Sequence, residues 1–212
     1  MRRVLFTLGL VLGLAACGAP TCAGLGGATT QSVALQGSDV PKGLQKCPAT
    51  GDINSYLDQL KKKDPSTYQS TNDQWQKEKK AGATAGYVSI YSDQTAECDS
   101  FLGGKTPSGK TPPKIMINIV VQFKDDTSAA KDYKTSFFGF STSDMKSAGG
   151  SVTEGKNTGL GNNSAVGSVN VFGVSLYFAV WQNKAFESAL VDFNIADANS
   201  KKATSSINGR IH

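Results

Sequence analysis

The sequence predicts an α+β fold, a mainly antiparallel sheet with packed helices, on three observations. Segments 165–172, 174–182 and 185–195 are β-rich and parted only by Gly173 and by Asn183-Lys184, the pattern of a C-terminal three-stranded meander. Ile115, Ile117, Ile119, Val121 and Phe123 alternate along one uninterrupted strand. Ile53, Tyr56, Leu57 and Leu60 recur at helical spacing behind Asp52, a natural N-cap. Helices set around antiparallel strands in this way give two or three layers. With 212 residues and a hydrophobic fraction of 39%, the chain is neither collagenous, nor low-complexity, nor a multi-span membrane protein.

From the N-terminus, Arg2 and Arg3 precede an apolar run, Val4 to Leu14, broken only by Thr7 and two glycines. The run is too short to span a bilayer and has the layout of an export signal. It ends in Leu14-Ala15-Ala16-Cys17-Gly18, which resembles the bacterial lipobox: a leucine three residues before a cysteine, with small residues between. The resemblance implies a signal peptide over 1–16, cleavage before Cys17, and a diacylglycerol on its thiol, with palmitate-like chains seated in a cell membrane. Each buried methylene contributes about 0.8 kcal/mol, so two or three chains anchor durably where one does not. Residues 17–46, with Gly24, Gly26, Gly27, Thr29, Thr30 and Ser32, then read as a lipidated flexible tether, in which Val33-Ala34-Leu35 is the one stretch able to pair as a short strand. A single extracytoplasmic domain fills 47–212.

Within that domain, a helix over 52–62 ends near Asp64-Pro65, and a more polar one over 66–80 is held by Tyr68 and Trp75. Lys61 to Lys63, and Lys77, Lys79 and Lys80, suit helix C-terminal dipoles; the competing reading is a basic patch for anionic lipid or wall polymer. A strand at 87–92, bounded by Gly86 and Asp93, leads to a short helix near 95–102 carrying Cys98, then a Gly- and Pro-rich loop over 103–113. The strand 115–123 has a mixed second face of Met116, Asn118, Val120 and Gln122, which suggests a central position. Asp126 can cap the next helix, with Ala129, Ala130, Tyr133 and Phe137 as its buried stripe and Gly139 beyond its end. A strand near 152–154 precedes the meander. There, Val174, Leu176, Phe178 and Val180 are expected to face the core, opposite Ser175, Tyr177, Ala179 and Trp181. A helix over 197–208 closes the chain, with Ala203, Ile207 and Ile211 on its buried side.

Export sets an oxidising compartment, and with Cys17 lipidated three cysteines remain, Cys22, Cys47 and Cys98. Cys47 with Cys98 is the favoured disulfide because both fall within the folded part, while pairings of Cys22 with either stay open. The 22 Lys and Arg against 17 acids give a net charge of +5; without Arg2 and Arg3 this becomes twenty against seventeen, or +3. So thin and scattered a surplus does not point to nucleic acid.

The lone histidine, His212, is the last residue, so neither serine nor cysteine has a histidine base, and no zinc motif is present. No metal, cofactor or catalytic residue is assigned. Asp125-Asp126 reads as a helix start rather than a carboxylate pair, and Asp93, Glu97 and Asp99 lack calcium-loop spacing. Gly159-Leu160-Gly161-Asn162-Asn163-Ser164 lacks a phosphate-loop lysine and runs into a strand, so it reads as a turn. Tyr177 and Trp181, with small Ala179 between them on one strand face, form a candidate ligand-binding ledge for a sugar or peptide.

The turn Gly159 to Ser164, the meander and a terminal helix ending in Ile207-Asn208-Gly209-Arg210-Ile211 together resemble the closing module of PsbP-like lipoproteins and of extracytoplasmic bacterial sensor domains. In those a Leu-Gly-Asp turn leads into the meander; here Asn162 replaces the acid. The resemblance implies the fold more than an activity. The functional expectation is a non-enzymatic, lipid-anchored binding or sensor-like lipoprotein of the cell envelope, taking a small ligand, an envelope polymer or a partner protein. The alternatives are a histidine-free, carboxylate-dependent hydrolase, which requires an acid titrating well above its usual range, and a structural or assembly lipoprotein.

Overall fold

Two aspartates start the first long helices. Asp52 accepts the N–H groups of Asn54 and Ser55, each at 3.1 Å, and opens α2 (Ile53–Lys63). Asp64 ends that helix and caps the next, α3 (Pro65–Ala81), through Ser66 and Thr67. The computed structural model describes residues 27–94, 98, 112–135, 146–147, 150–171 and 173–212. The helix near 95–102 (Cys98 apart), the loop 103–111, Phe137 and Gly139 lie outside these residues, as do Cys17 and Cys22.

Among the described residues, eight strands form one sheet, antiparallel at every pairing. Along the chain they are β1 (Gln45–Lys46), β2 (Gly51–Asp52), β3 (Ala83–Ser92), β4 (Ile115–Phe123), β5 (Ser151–Glu154), β6 (Ser164–Val171), β7 (Val174–Asn183) and β8 (Phe186–Phe193). Their spatial order is β1-β3-β4-β8-β7-β6-β5, with β2 also on the outer edge of β3. The meander is therefore β6-β7-β8, and β4 lies centrally between β3 and β8 as its two-faced hydrophobicity requires. β3 begins four residues earlier than expected. Gly86 does not end it: a Cβ there would come within 3.1 Å of Ile53, so the glycine makes room for α2 and α3.

Helices cover both faces, giving three layers. Ile53, Leu57, Leu60 and Trp75 pack on the face of Val88, Ile90, Ile115, Val121 and Phe123, joined by Ala129 of α4 (Asp126–Tyr133). The N-cap of α4 is Asp125, not Asp126: its carboxylate accepts the Ser128 N–H at 2.7 Å. On the other face α5 (Asp197–Gly209) buries Ala203 and Ile207 against Tyr177, Ala179, Trp181 and Leu190. The expected alternation in β7 thus gives way to burial on both sides, with Phe178 and Val180 enclosed as well.

The segment expected as a tether through residue 46 is folded from Ala28 onward. Thr29 and Ser32 form a reciprocal capping box for a one-turn helix, α1 (Thr30–Val33), and Val33, Ala34 and Leu35 are buried rather than paired as a strand. Composition alone hid this, because the apolar contribution is only three residues long. Its anchoring is polar: the Leu35 N–H donates to Asn118 Oδ1 at 2.9 Å, and Asn118 Nδ2 donates to Ser188 Oγ and Ala189 O. Arg210 donates to the carbonyls of Val33 and Ala34 and pairs with Asp39 at 2.8 Å.

Cys47 and Cys98 are joined by a disulfide, Cα to Cα 5.6 Å, that enters the first core. Among the described residues no helix is long and apolar enough to cross a membrane.

Candidate functional site

The aromatic ledge expected at Tyr177 and Trp181 is closed. Both side chains lie on one face with Ala179 between them, but α5 covers that face, leaving Tyr177 3% and Trp181 0% exposed. Tyr177 Oη bonds Thr204 Oγ1 at 3.2 Å, and burial pushes its hydroxyl up to about 12. Only its edge reaches a groove of about 390 Å³ between the β5–β6 side of the sheet and α5.

The same residue pattern recurs on the same sheet face, and there all three residues line a groove, Tyr87 half-buried and Ser89 and Tyr91 buried. On β3, Tyr87 and Tyr91 are four apart with small Ser89 between them, all on the side away from α2 and α3. α5 does not extend over this side. Instead the one-turn helix α1 and residues 35–37 form the opposite wall of a groove of about 510 Å³, within the range of small-ligand sites. Thr29, Gln31, Ser32 and Gln36 supply hydroxyls and amides, Leu35 and the tyrosine rings supply apolar surface, and Lys46 of β1 is the single charge among the lining residues. Along its outer edge β3 meets β1 at Tyr91 and Ser92 and β2 at Tyr87 and Val88, and between them the Ile90 N–H donates to Thr50 Oγ1 while the Ile90 carbonyl accepts the Cys47 N–H.

Ser89 is 1% exposed, and its Oγ has no hydrogen-bond partner. Leaving a buried hydroxyl unpaired costs about 1–3 kcal/mol, so a group that forms a hydrogen bond with it from the groove recovers free energy on binding. Tyr91 is 6% exposed, and its hydroxyl is raised first by burial and then by Tyr87 and Asp39. Asp39 itself is turned toward Arg210 and the Gln36 N–H, which leaves no carboxylate in the lining. Mostly uncharged donors and acceptors around two aromatic rings, with one lysine and no carboxylate, suit a neutral, hydroxyl-rich molecule better than a cation.

Acids that titrate high are present, but inside the body. Glu187 of β8 is 0% exposed and raised to about 9, first by burial and then by Asp132 and Glu78 beneath α3 and α4. Asp192, on the opposite face of β8, is raised to about 7 by burial, with Ser200 acting against the shift. Neither lines any of the grooves described. Among the described residues no group of three or more histidines, cysteines or acids is arranged to hold a metal. Gly159 and Gly161 adopt left-handed backbone in the turn entering β6, in keeping with a turn rather than a phosphate loop.

The chain matches no family model, no curated protein and no solved structure.

Proposed function

We propose that this is a lipid-anchored extracytoplasmic binding protein, without catalysis, that holds a neutral hydroxylated ligand such as a sugar unit of an envelope polymer in the groove between α1 and β3. The observation that carries the reading is the Ser89 hydroxyl, buried and unpaired at the groove floor between Tyr87 and Tyr91. A sugar presents the matching chemistry: hydroxyls for Ser89, Gln36 and Thr29, and an apolar ring face for a tyrosine. The location rests on Leu14-Ala15-Ala16-Cys17, and a disulfide at Cys47–Cys98 is in keeping with an oxidising compartment. The hydrolase alternative has its elevated carboxylates, Glu187 and Asp192, but a substrate would have to enter the core to meet them.

Two experiments test the two halves. Calorimetric titration with soluble glycan fragments released from a bacterial envelope is expected to show binding that Tyr87→Ala weakens about tenfold, the loss of one stacking contact. No heat with any fragment removes the groove from consideration as a sugar site. For the anchor, incorporation of labelled palmitate into the full chain in a bacterial host is expected, and its persistence in Cys17→Ala contradicts the assignment.

A further inference from the structure

Six exposed lysines gather at one end of the sheet, and the register puts them there. α3 ends with Lys79 and Lys80 just before Gly82, whose carbonyl accepts the Lys124 N–H at 3.0 Å. Lys124 directly follows β4. The Phe123 N–H donates to Ala185 O at 2.7 Å, which brings Lys184, in the β7–β8 turn, to the same edge. α4 starts there too and sets Lys131 and Lys134 beside Gln182 of β7, around a groove of about 450 Å³. Among the described residues, the exposed acids facing them are Asp125, which caps α4, and Asp126; Glu154, farther along, is paired with Lys146 at 3.1 Å.

Six cations against two carboxylates leave an excess of four, which is more than the +3 of the whole chain after Ala16. This end therefore carries an excess as large as that of the whole chain after Ala16, and the remaining residues sum to near neutrality. Helix dipoles account for Lys79, Lys80 and Lys131, which occupy last turns. They do not account for Lys124 and Lys184, which sit at no helix C-terminus. Among the described residues none of the six is in a salt bridge. Like charges held together at a surface repel one another, and an anionic plane relieves that repulsion while leaving the ammonium groups hydrated.

We propose that this end of the sheet docks on an anionic phospholipid surface. The four contributing elements present the lysines across an end of the molecule rather than inside one cleft, an arrangement fitted to a flat partner. The inference draws on the anchor reading only for nearness to a leaflet; the lysine geometry stands apart from it. Each lysine near an anionic surface strengthens association about fivefold, and the effect weakens within a Debye length of about 10 Å as salt rises.

The test uses the full chain purified from bacterial membranes and mixed with vesicles of phosphatidylcholine, alone or with phosphatidylglycerol. A membrane-impermeant amine reagent is applied, and labelling is read lysine by lysine. Lys61 to Lys63, which end α2, are the reference, separated from Lys79 and Lys80 by most of the seventeen-residue helix α3. On anionic vesicles the six lysines are expected to label about fivefold less than the reference, with parity on zwitterionic vesicles or in molar salt. The exposed double variant Lys124→Gln/Lys184→Gln is expected to lose most of the protection of the other four. Equal labelling on both vesicle types overturns the proposal, as does protection that appears only when an anionic wall polymer is added. A chain that leaves zwitterionic vesicles yet is held by the anionic ones through these lysines contradicts the acyl anchor and supports the docking surface.

Discussion

Replacing Ser89 with alanine removes a hydroxyl that is desolvated and unpaired, so the free protein is expected to gain about 1 kcal/mol in denaturant unfolding. The same variant loses the donor at the groove floor, and sugar affinity is expected to fall about fivefold. Stability and binding moving in opposite directions distinguishes a ligand contact from a structural residue. Glu187 makes a prediction in pH. Its carboxyl holds a proton in the folded state up to about 9 and releases it near 4.5 when unfolded, so the unfolded chain binds fewer protons throughout that interval. Its contribution to stability is therefore greatest below about 4.5 and falls as pH rises, by on the order of 3 kcal/mol at neutrality. Asp192 adds a loss of the same sign up to about pH 7. Denaturation profiles of Glu187→Gln should show a flatter pH dependence and a gain over the parent chain that grows from pH 5 to pH 8. An unchanged profile means that Glu187 is charged in the folded protein.

The N-terminal wall of the groove depends on Arg210. That guanidinium holds the carbonyls of Val33 and Ala34 and the carboxylate of Asp39, so Arg210→Ala leaves a nearly buried acid unpaired and is expected to cost about 3 kcal/mol. Amide exchange should accelerate over 30–39 before the sheet is affected, and sugar binding should weaken with it. Reducing or replacing the Cys47–Cys98 bridge, which spans a separation of 51 residues, is expected to cost about 4 kcal/mol by chain entropy. The elements themselves were largely readable. Asp52, Asp64 and the hydrophobic periods placed α2, α3, β4 and the meander within a residue or two of their observed ends. What failed had a tertiary cause. Gly86 looks like a boundary until Ile53 and Trp75 are seen above it, and Val33-Ala34-Leu35 looks like linker until Asn118 and Arg210 are seen to hold its backbone.

At the scale of the molecule, the difference between a sealed ledge and one that lines a groove is a matter of which element lies above it. Tyr177-Ala179-Trp181 and Tyr87-Ser89-Tyr91 carry the same spacing on the same sheet face. The thirteen-residue helix α5 seals the first, whereas a single turn of helix leaves a groove along the second in which Tyr87 stays half-buried. Strand patterns specify faces but not the layer that covers them, so the spacing alone did not separate the ledge beneath α5 from the one beside α1. Three layers also account for the acids: Glu187 and Asp192 project from opposite faces of β8 into separate cores, which is why burial raises both and neither meets solvent.

The claim on which the functional account rests is that the groove between α1 and β3 takes a hydroxylated ligand through Ser89. Titrating envelope-derived glycan fragments into the parent chain and into Ser89→Ala, with unfolding measured on both, tests it most directly. The account predicts saturable binding to the parent, weaker binding to the variant, and a variant at least as stable as the parent. Equal affinity in two folded proteins, or no binding to either, contradicts it.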